Sequence, residues 1–232
     1  MTPPPPAGPD ACDTPDGPDT SDTRDGPDTS DGPDGPFAVL GEPVLAVADE
    51  RRALLAVAGA HGEDEQGRVG VFDVGASPRR RLLVDTGLPV HAMAFHPARP
   101  LLAVGTGDYD GGYHFEGELL LVHLDSGTVR SLIGGRSGRQ VLALQWLDHQ
   151  DLRVVVAPYD DEEDEAAHVQ GHVAVVRRPD WTRVGAKSLT PGDLTGPRVP
   201  APRPDGREAA RRTIARLTAP RTRRHHTGGR PA

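Results

Sequence analysis

Internal repetition constrains this chain more than any other feature. Three pentapeptides line up, VLAVA from Val44, VHAMA from Val90 and VLALQ from Val141, with starts 46 and 51 residues apart. A second marker follows each of them: LLAV from Leu54, the identical LLAV from Leu101, and LRVVVA from Leu152. A third comes later in each unit, as RVGVFDV from Arg68, ELLLVHLD from Glu118 and GHVAVVRR from Gly171. A fourth run is read at Arg81–Asp85, Val129–Ile133 and Arg183–Leu189. All are short, β-branched or leucine-rich, and bounded by Gly, Pro or Asp, which is the pattern of strands. Markers that keep their order and spacing mark copies of one supersecondary unit, and such a unit buries its apolar faces only against its neighbours.

Four short strands in every 45–50 residues, with no helical pattern between them, predict an all-β fold. The expected architecture is a partial β-propeller of about three four-stranded blades over residues 37–189, divided near 37–87, 88–138 and 139–189. The middle unit also resembles the opening half of a Trp-Asp (WD) repeat. In VHAMAFHPARPLLAVGTG, residues 90–107, Phe95-His96-Pro97 opens the turn, Leu101–Val104 forms the next strand and Gly105-Thr106 ends it. Val71–Asp73 is similar to the family's closing apolar-Trp-Asp with Phe72 in place of Trp, and Leu121–Gly127 to the same strand with its following turn. No Trp-Asp dipeptide occurs, and the family's Gly-His pair before the first strand is missing. The resemblance thus implies divergent, WD-like blades, and within it His96 takes a turn role.

Charge divides the chain again. Residues 1–36 carry nine Asp, one at every third position, against one Arg; residues 187–232 carry eleven Lys or Arg against three acids. The first stretch is rich in Pro and Gly and too poor in apolar residues to build a core, so a disordered acidic tail is expected. A disordered Pro/Arg-rich basic tail is expected from 190 to 232, with a short helix at 207–217 where Ala210, Ile214 and Leu217 share one face. A lone cysteine, Cys12, excludes an internal disulfide and any cysteine-based zinc site. No apolar run reaches the roughly 20 residues of a membrane span, and a cytoplasmic protein is expected. Nucleic acid would be met only through the basic tail.

The resemblance implies that the loops between second and third strands share one face. Here those loops are unusually acidic, with Glu63, Asp64 and Glu65 in the first, Asp108, Asp110 and Glu116 in the second, and Asp160, Asp161, Glu162 and Glu163 in the third. One charge run is ordinarily a solvated loop, but three at equivalent positions describe a docking face for a basic protein partner. No cofactor is predicted and no catalytic residue is assigned. Closely spaced carboxylates before a Gly turn at Asp108 and Asp110 are the only candidate metal ligands, for calcium. The function expected is a non-enzymatic protein-interaction module. The competing readings are a propeller hydrolase or metal-dependent enzyme using the acidic loops, and an incomplete fragment of a larger propeller. Three stacked sheets would leave apolar faces on the first and last, so self-association or a partner covering those faces is also expected.

Overall fold

The computed structural model describes residues 35–61, 66–75, 77–109, 115–133, 139–158, 170–202 and 206–219. The chain divides into Met1–Pro33, which lies outside the described residues, and Asp34–Ala232, to which everything below refers.

The fold is all-β, built on three four-stranded antiparallel sheets. The first comprises β1 (Glu42–Asp49), β2 (Leu54–His61), β3 (Gln66–Asp73) and β4 (Arg79–Asp85), paired in chain order. The second opens with β5 (Val90–Phe95) and β6 (Leu101–Thr106). A two-stranded ribbon, β7 (Asp108–Tyr109) with β8 (Phe115–Glu116), then precedes β9 (Leu119–His123) and β10 (Val129–Ser131). The third holds β11 (Val141–Trp146), β12 (Asp151–Val156), β13 (Gln170–Arg177) and β14 (Arg198–Pro200).

The repeated leucine-alanine runs are middle strands, and stacking explains their composition. Leu54, Ala56, Val69 and Val71 of the first sheet pack against Leu102, Val104, Leu120 and Val122 of the second. On the other face of the second sheet, Leu101, Ala103, Leu119 and Leu121 meet Leu152, Val154 and Val156 of the third. A strand buried on both faces reads as a continuous apolar run rather than an alternating one, and all six residues of β6 are buried. Small residues set the spacing between sheets: a Cβ added at Gly105 would lie 2.5 Å from Val141 Cγ1.

Each first strand carries a bulge, at Val44, His91 and Leu142, where the register to the second strand shifts. Position by position, Val44 therefore matches His91 and Leu142, one residue away from the alignment of the three pentapeptides. Because all three strands carry the bulge at the same place, the offset lies in where the apolar run begins, not in the backbone.

The fourth strand of the third sheet corrects the sequence reading. Arg183–Leu189 is not that strand, because this run crosses to the second sheet. The Lys187 and Leu189 amides donate to the Ser131 and Leu132 carbonyls, and Leu189 bridges Ile133 in parallel. Val184 and Leu189 thereby enter the core between the second and third sheets. A 3-10 turn at Pro191–Leu194 follows, closed by a reciprocal Thr190–Asp193 capping box. Then β14 pairs its Val199 with Gly171 of β13. The third unit thus runs to Pro200, past the boundary expected at 189, and residues 190–202 belong to the fold rather than to a disordered tail.

A second correction concerns the end faces. The expected helix forms as α1 (Gly206–Thr218) and lies on β1. Its Ala210 is buried, and Ile214 and Leu217 join Phe37, Leu40, Leu55, Val57 and Phe72 in one cluster. The outward face of the first sheet is therefore covered by the chain itself. On the third sheet, Arg153 occupies the place that Ala56 and Ala103 hold in the first two. The last face is accordingly mixed rather than apolar, with Arg153 and Arg177 exposed beside Val175, which is 53% exposed. Among the described residues no helix is long and apolar enough to cross a membrane.

Candidate functional site

The three sheets are stitched at one end, and that fixes where the other end points. The Arg52 guanidinium, in the turn after β1, donates to the His96 and Arg99 carbonyls in the turn after β5. Asp49 holds this guanidinium through its Nε at 2.6 Å. His96 Nε2 lies 3.0 Å from the carbonyl oxygen of His149, in the turn after β11. His96 Nδ1 accepts the Ala98 and Arg99 amides at 3.0 and 2.9 Å, so the proton of the neutral ring sits on Nε2 and is donated to His149. Trp146 stands edge-on to His96 at 4.5 Å and to Trp181 at 5.0 Å. Burial holds the His96 pKa below its ordinary value against the raising effect of the His149 bond, and the charges of Arg52 and Arg99 push the same way as burial. The expected turn role of His96 is borne out, since its ring closes its own turn through two amides.

Strands alternate in direction, so the connections between second and third strands all leave from the opposite end of the three sheets. Their bounding residues are His61 and Gln66 in the first sheet, Thr106 and Leu119 in the second, and Val156 and Gln170 in the third. Of the predicted face, Asp108 and Glu116 lie among the described residues, directly opposite one another on β7 and β8. Asp108 is exposed and Glu116 half-buried. Like charges in directly opposed positions cost stability in a sheet pair. Glu63, Asp64, Glu65, Asp110, Asp160, Asp161, Glu162 and Glu163 lie outside the described residues, as does one half of the Asp108/Asp110 pair considered for calcium. Among the described residues no cluster of three His, Cys, Asp or Glu forms.

His91 stands at the foot of the ribbon, with its Nε2 2.9 Å from the Gly107 carbonyl oxygen. Burial lowers its pKa, opposed by that bond and by the Asp108 carboxylate. Segments 62–65, 107–118 and 158–170 together hold thirteen acidic residues and no Lys or Arg.

Sequence reasoning missed Arg52, His149 and Trp181, which join the sheets at the stitched end. Each lies in a turn outside the repeated markers. Arg139 was missed as well: it is 9% exposed and donates to the Leu194 carbonyl at 3.0 Å, holding the 3-10 turn that leads to β14. No protein-family model matches the chain, and no curated protein matches it either.

Proposed function

We propose that this protein is a non-enzymatic, cytoplasmic interaction module of WD-like blades that presents its acidic end to a basic protein partner. The observation that carries the reading is the common end from which the three acidic connections depart, opposite the Arg52–His96–His149 stitch. A field built from three separate loops steers encounter and selects partners by sign, which suits reversible protein recognition.

The test is a titration of the full chain with a fluorescent arginine-rich peptide and with a glutamate-rich control. The basic peptide is expected to bind, with affinity falling at least ten-fold between 50 and 300 mM salt as the field is screened. Replacing Glu63, Asp64 and Glu65 with their amides, together with Asp160→Asn through Glu163→Gln, should abolish that binding. Equal binding by the neutralised chain would overturn the proposal. A melting point raised by calcium alone would instead move the assignment to a cation site, because only a ligand of the folded state stabilises it.

A further inference from the structure

The chain that leaves β13 encloses a cleft of about 380 Å³, whose walls include Arg178, Asp180, Arg183, Gly185 and Ser188. That volume is within the range of small-molecule sites. The segment around it is irregular but fixed. Trp181, Val184 and Leu189 are buried. Arg130 Nη1 donates to the Thr182 and Val184 carbonyls at 3.3 and 2.9 Å, and the Lys187 amide to the Ser131 carbonyl at 2.8 Å. A loop pinned at these points holds its remaining groups ready, so binding has little left to order.

Those remaining groups are mostly donors. Arg178 is held by the Arg177 and Ser188 carbonyls at 2.8 and 3.2 Å and by the Asp193 carboxylate at 3.5 Å. The Arg183 side chain is exposed and makes no hydrogen bond or ion pair among the described residues. Ser188 Oγ is buried and has no partner among them either, and a buried polar atom left unmet marks a place where a water or a ligand belongs. Lys187, the single lysine of the chain, precedes it with a φ of 55°. Such left-handed backbone costs a non-glycine residue energy and is concentrated at ligand clamps and active sites. The one wall carboxylate, Asp180, already accepts from the Thr182 amide and Oγ1 at 3.0 and 2.7 Å. The charges of Arg183 and of Arg99, in the turn after β5, both act on it.

We propose that this cleft binds a small polyol phosphate, with Arg178 and Arg183 on the phosphate oxygens and the Ser188 hydroxyl donating between them. A planar carboxylate is satisfied by one guanidinium fork. The three oxygens of a phosphate monoester match two guanidinium groups and a hydroxyl. Asp180 gives a bare dianion nothing, but it accepts a hydroxyl from the remainder of a polyol. The cleft is joined to the stitched end through Trp181 and Gln150, so this inference is separate from the acidic end and stands or falls without it.

The experiment is calorimetric titration of the full chain with glycerol phosphate, against sodium chloride at matched ionic strength. A single saturable site is expected, and the melting point should rise along the same curve. Phosphates also stabilise proteins generally by exclusion from their surfaces, an effect that does not saturate and does not depend on one arginine. Arg183→Gln should weaken binding about ten-fold, the loss of one charge-assisted contact, and should melt like the parent without ligand because Arg183 is exposed. Ser188→Ala should also weaken binding while melting no lower, since its hydroxyl bonds nothing in the fold. Arg80→Gln, at an exposed arginine of β4, should bind like the parent. Equal affinity in Arg183→Gln and the parent, or the absence of saturable binding, would overturn the proposal. So would tighter binding of malate, which assigns the cleft to carboxylates, or of a phosphoserine peptide, which moves the phosphate from a small molecule to a protein.

Discussion

His96 Nε2 lies 3.0 Å from the His149 carbonyl oxygen, across 53 residues that separate the same turn in successive sheets. The two amides that Nδ1 accepts require that nitrogen to be unprotonated, so the ring is neutral and the Nε2 proton is the one donated to His149. Protonation would bring a third positive charge beside Arg52 and Arg99 and would break the turn that His96 closes.

Stability should therefore fall in mild acid. His91, His96 and His123 all have pKa values lowered in the fold, by burial first. Between the ordinary value of 6.5 and the lower folded values, the unfolded chain binds more protons. The contribution is complete above about pH 7 and declines as pH falls through 6.5. A second loss belongs below 3.8, where Asp148, Asp180 and Asp193, held low by hydrogen bonds from Gln150, Thr182 and Thr190, become protonated. Melting curves from pH 8 to 3 should show two separate declines. His96→Asn should melt lower at pH 7 but flatten the first; a decline as steep as in the parent chain would remove His96 from the account.

Gly105 tests the spacing between the second and third sheets. Its missing Cβ would meet Val141 Cγ1 at 2.5 Å and the Val141 carbonyl oxygen at 2.9 Å. Gly105→Ala should cost about 1–3 kcal/mol through overpacking. Gly75→Ala, where nothing lies within 4 Å, serves as the control. Denaturant titration of both variants measures the difference, and equal midpoints would mean that the sheets move apart without cost.

The repeat was legible because apolar runs survive any change in surface residues, and the middle strands buried on both faces are such runs. What escaped was register and reuse. Val44, His91 and Leu142 are the bulged residues of the three first strands, so VLAVA begins on its bulge whereas VHAMA and VLALQ begin one residue before theirs, and nothing in the three runs signals it. Val184 and Leu189 are apolar enough to pass for a strand, yet they fill the space between two sheets. The strand that replaces them, around Val199, is three residues long and ends in proline. The stripe of α1 was visible in the spacing of Ala210, Ile214 and Leu217, but the surface it meets is about 170 residues away and has no local signature. Acidic side chains were legible by composition; that the strands bounding their segments end on one side depends on the turns joined by Arg52 and His96.

Trp181 joins the stitched end to the core. It is 1% exposed, stands edge-on to Trp146, and donates its indole N–H to the Gln150 carbonyl at 2.8 Å. Trp181→Phe removes that bond and part of the ring volume, for an expected loss of about 1–3 kcal/mol. The same change should leave the far end unaffected, so basic-peptide affinity measured below the melting transition should stay within two-fold of the parent. A large drop in affinity would show the two ends to be coupled.

The third sheet's outward face gives the last prediction. Ala56, Ala103 and Arg153 hold one position in three successive sheets, and their cross-strand partners on the third strands are Val71, Leu121 and Val175. The first two pairs are buried between sheets, whereas Val175 is 53% exposed beside Arg153. A terminal repeat needs a polar outer face to stay soluble, and Arg153 and Arg177 supply it here. Arg153→Ala with Arg177→Val should convert this face to an apolar patch continuous with Val173 and Val175. Association should then rise above that of the parent chain in light scattering at equal concentration. A double variant as dispersed as the parent would mean that the two arginines do not keep this face apart from other copies.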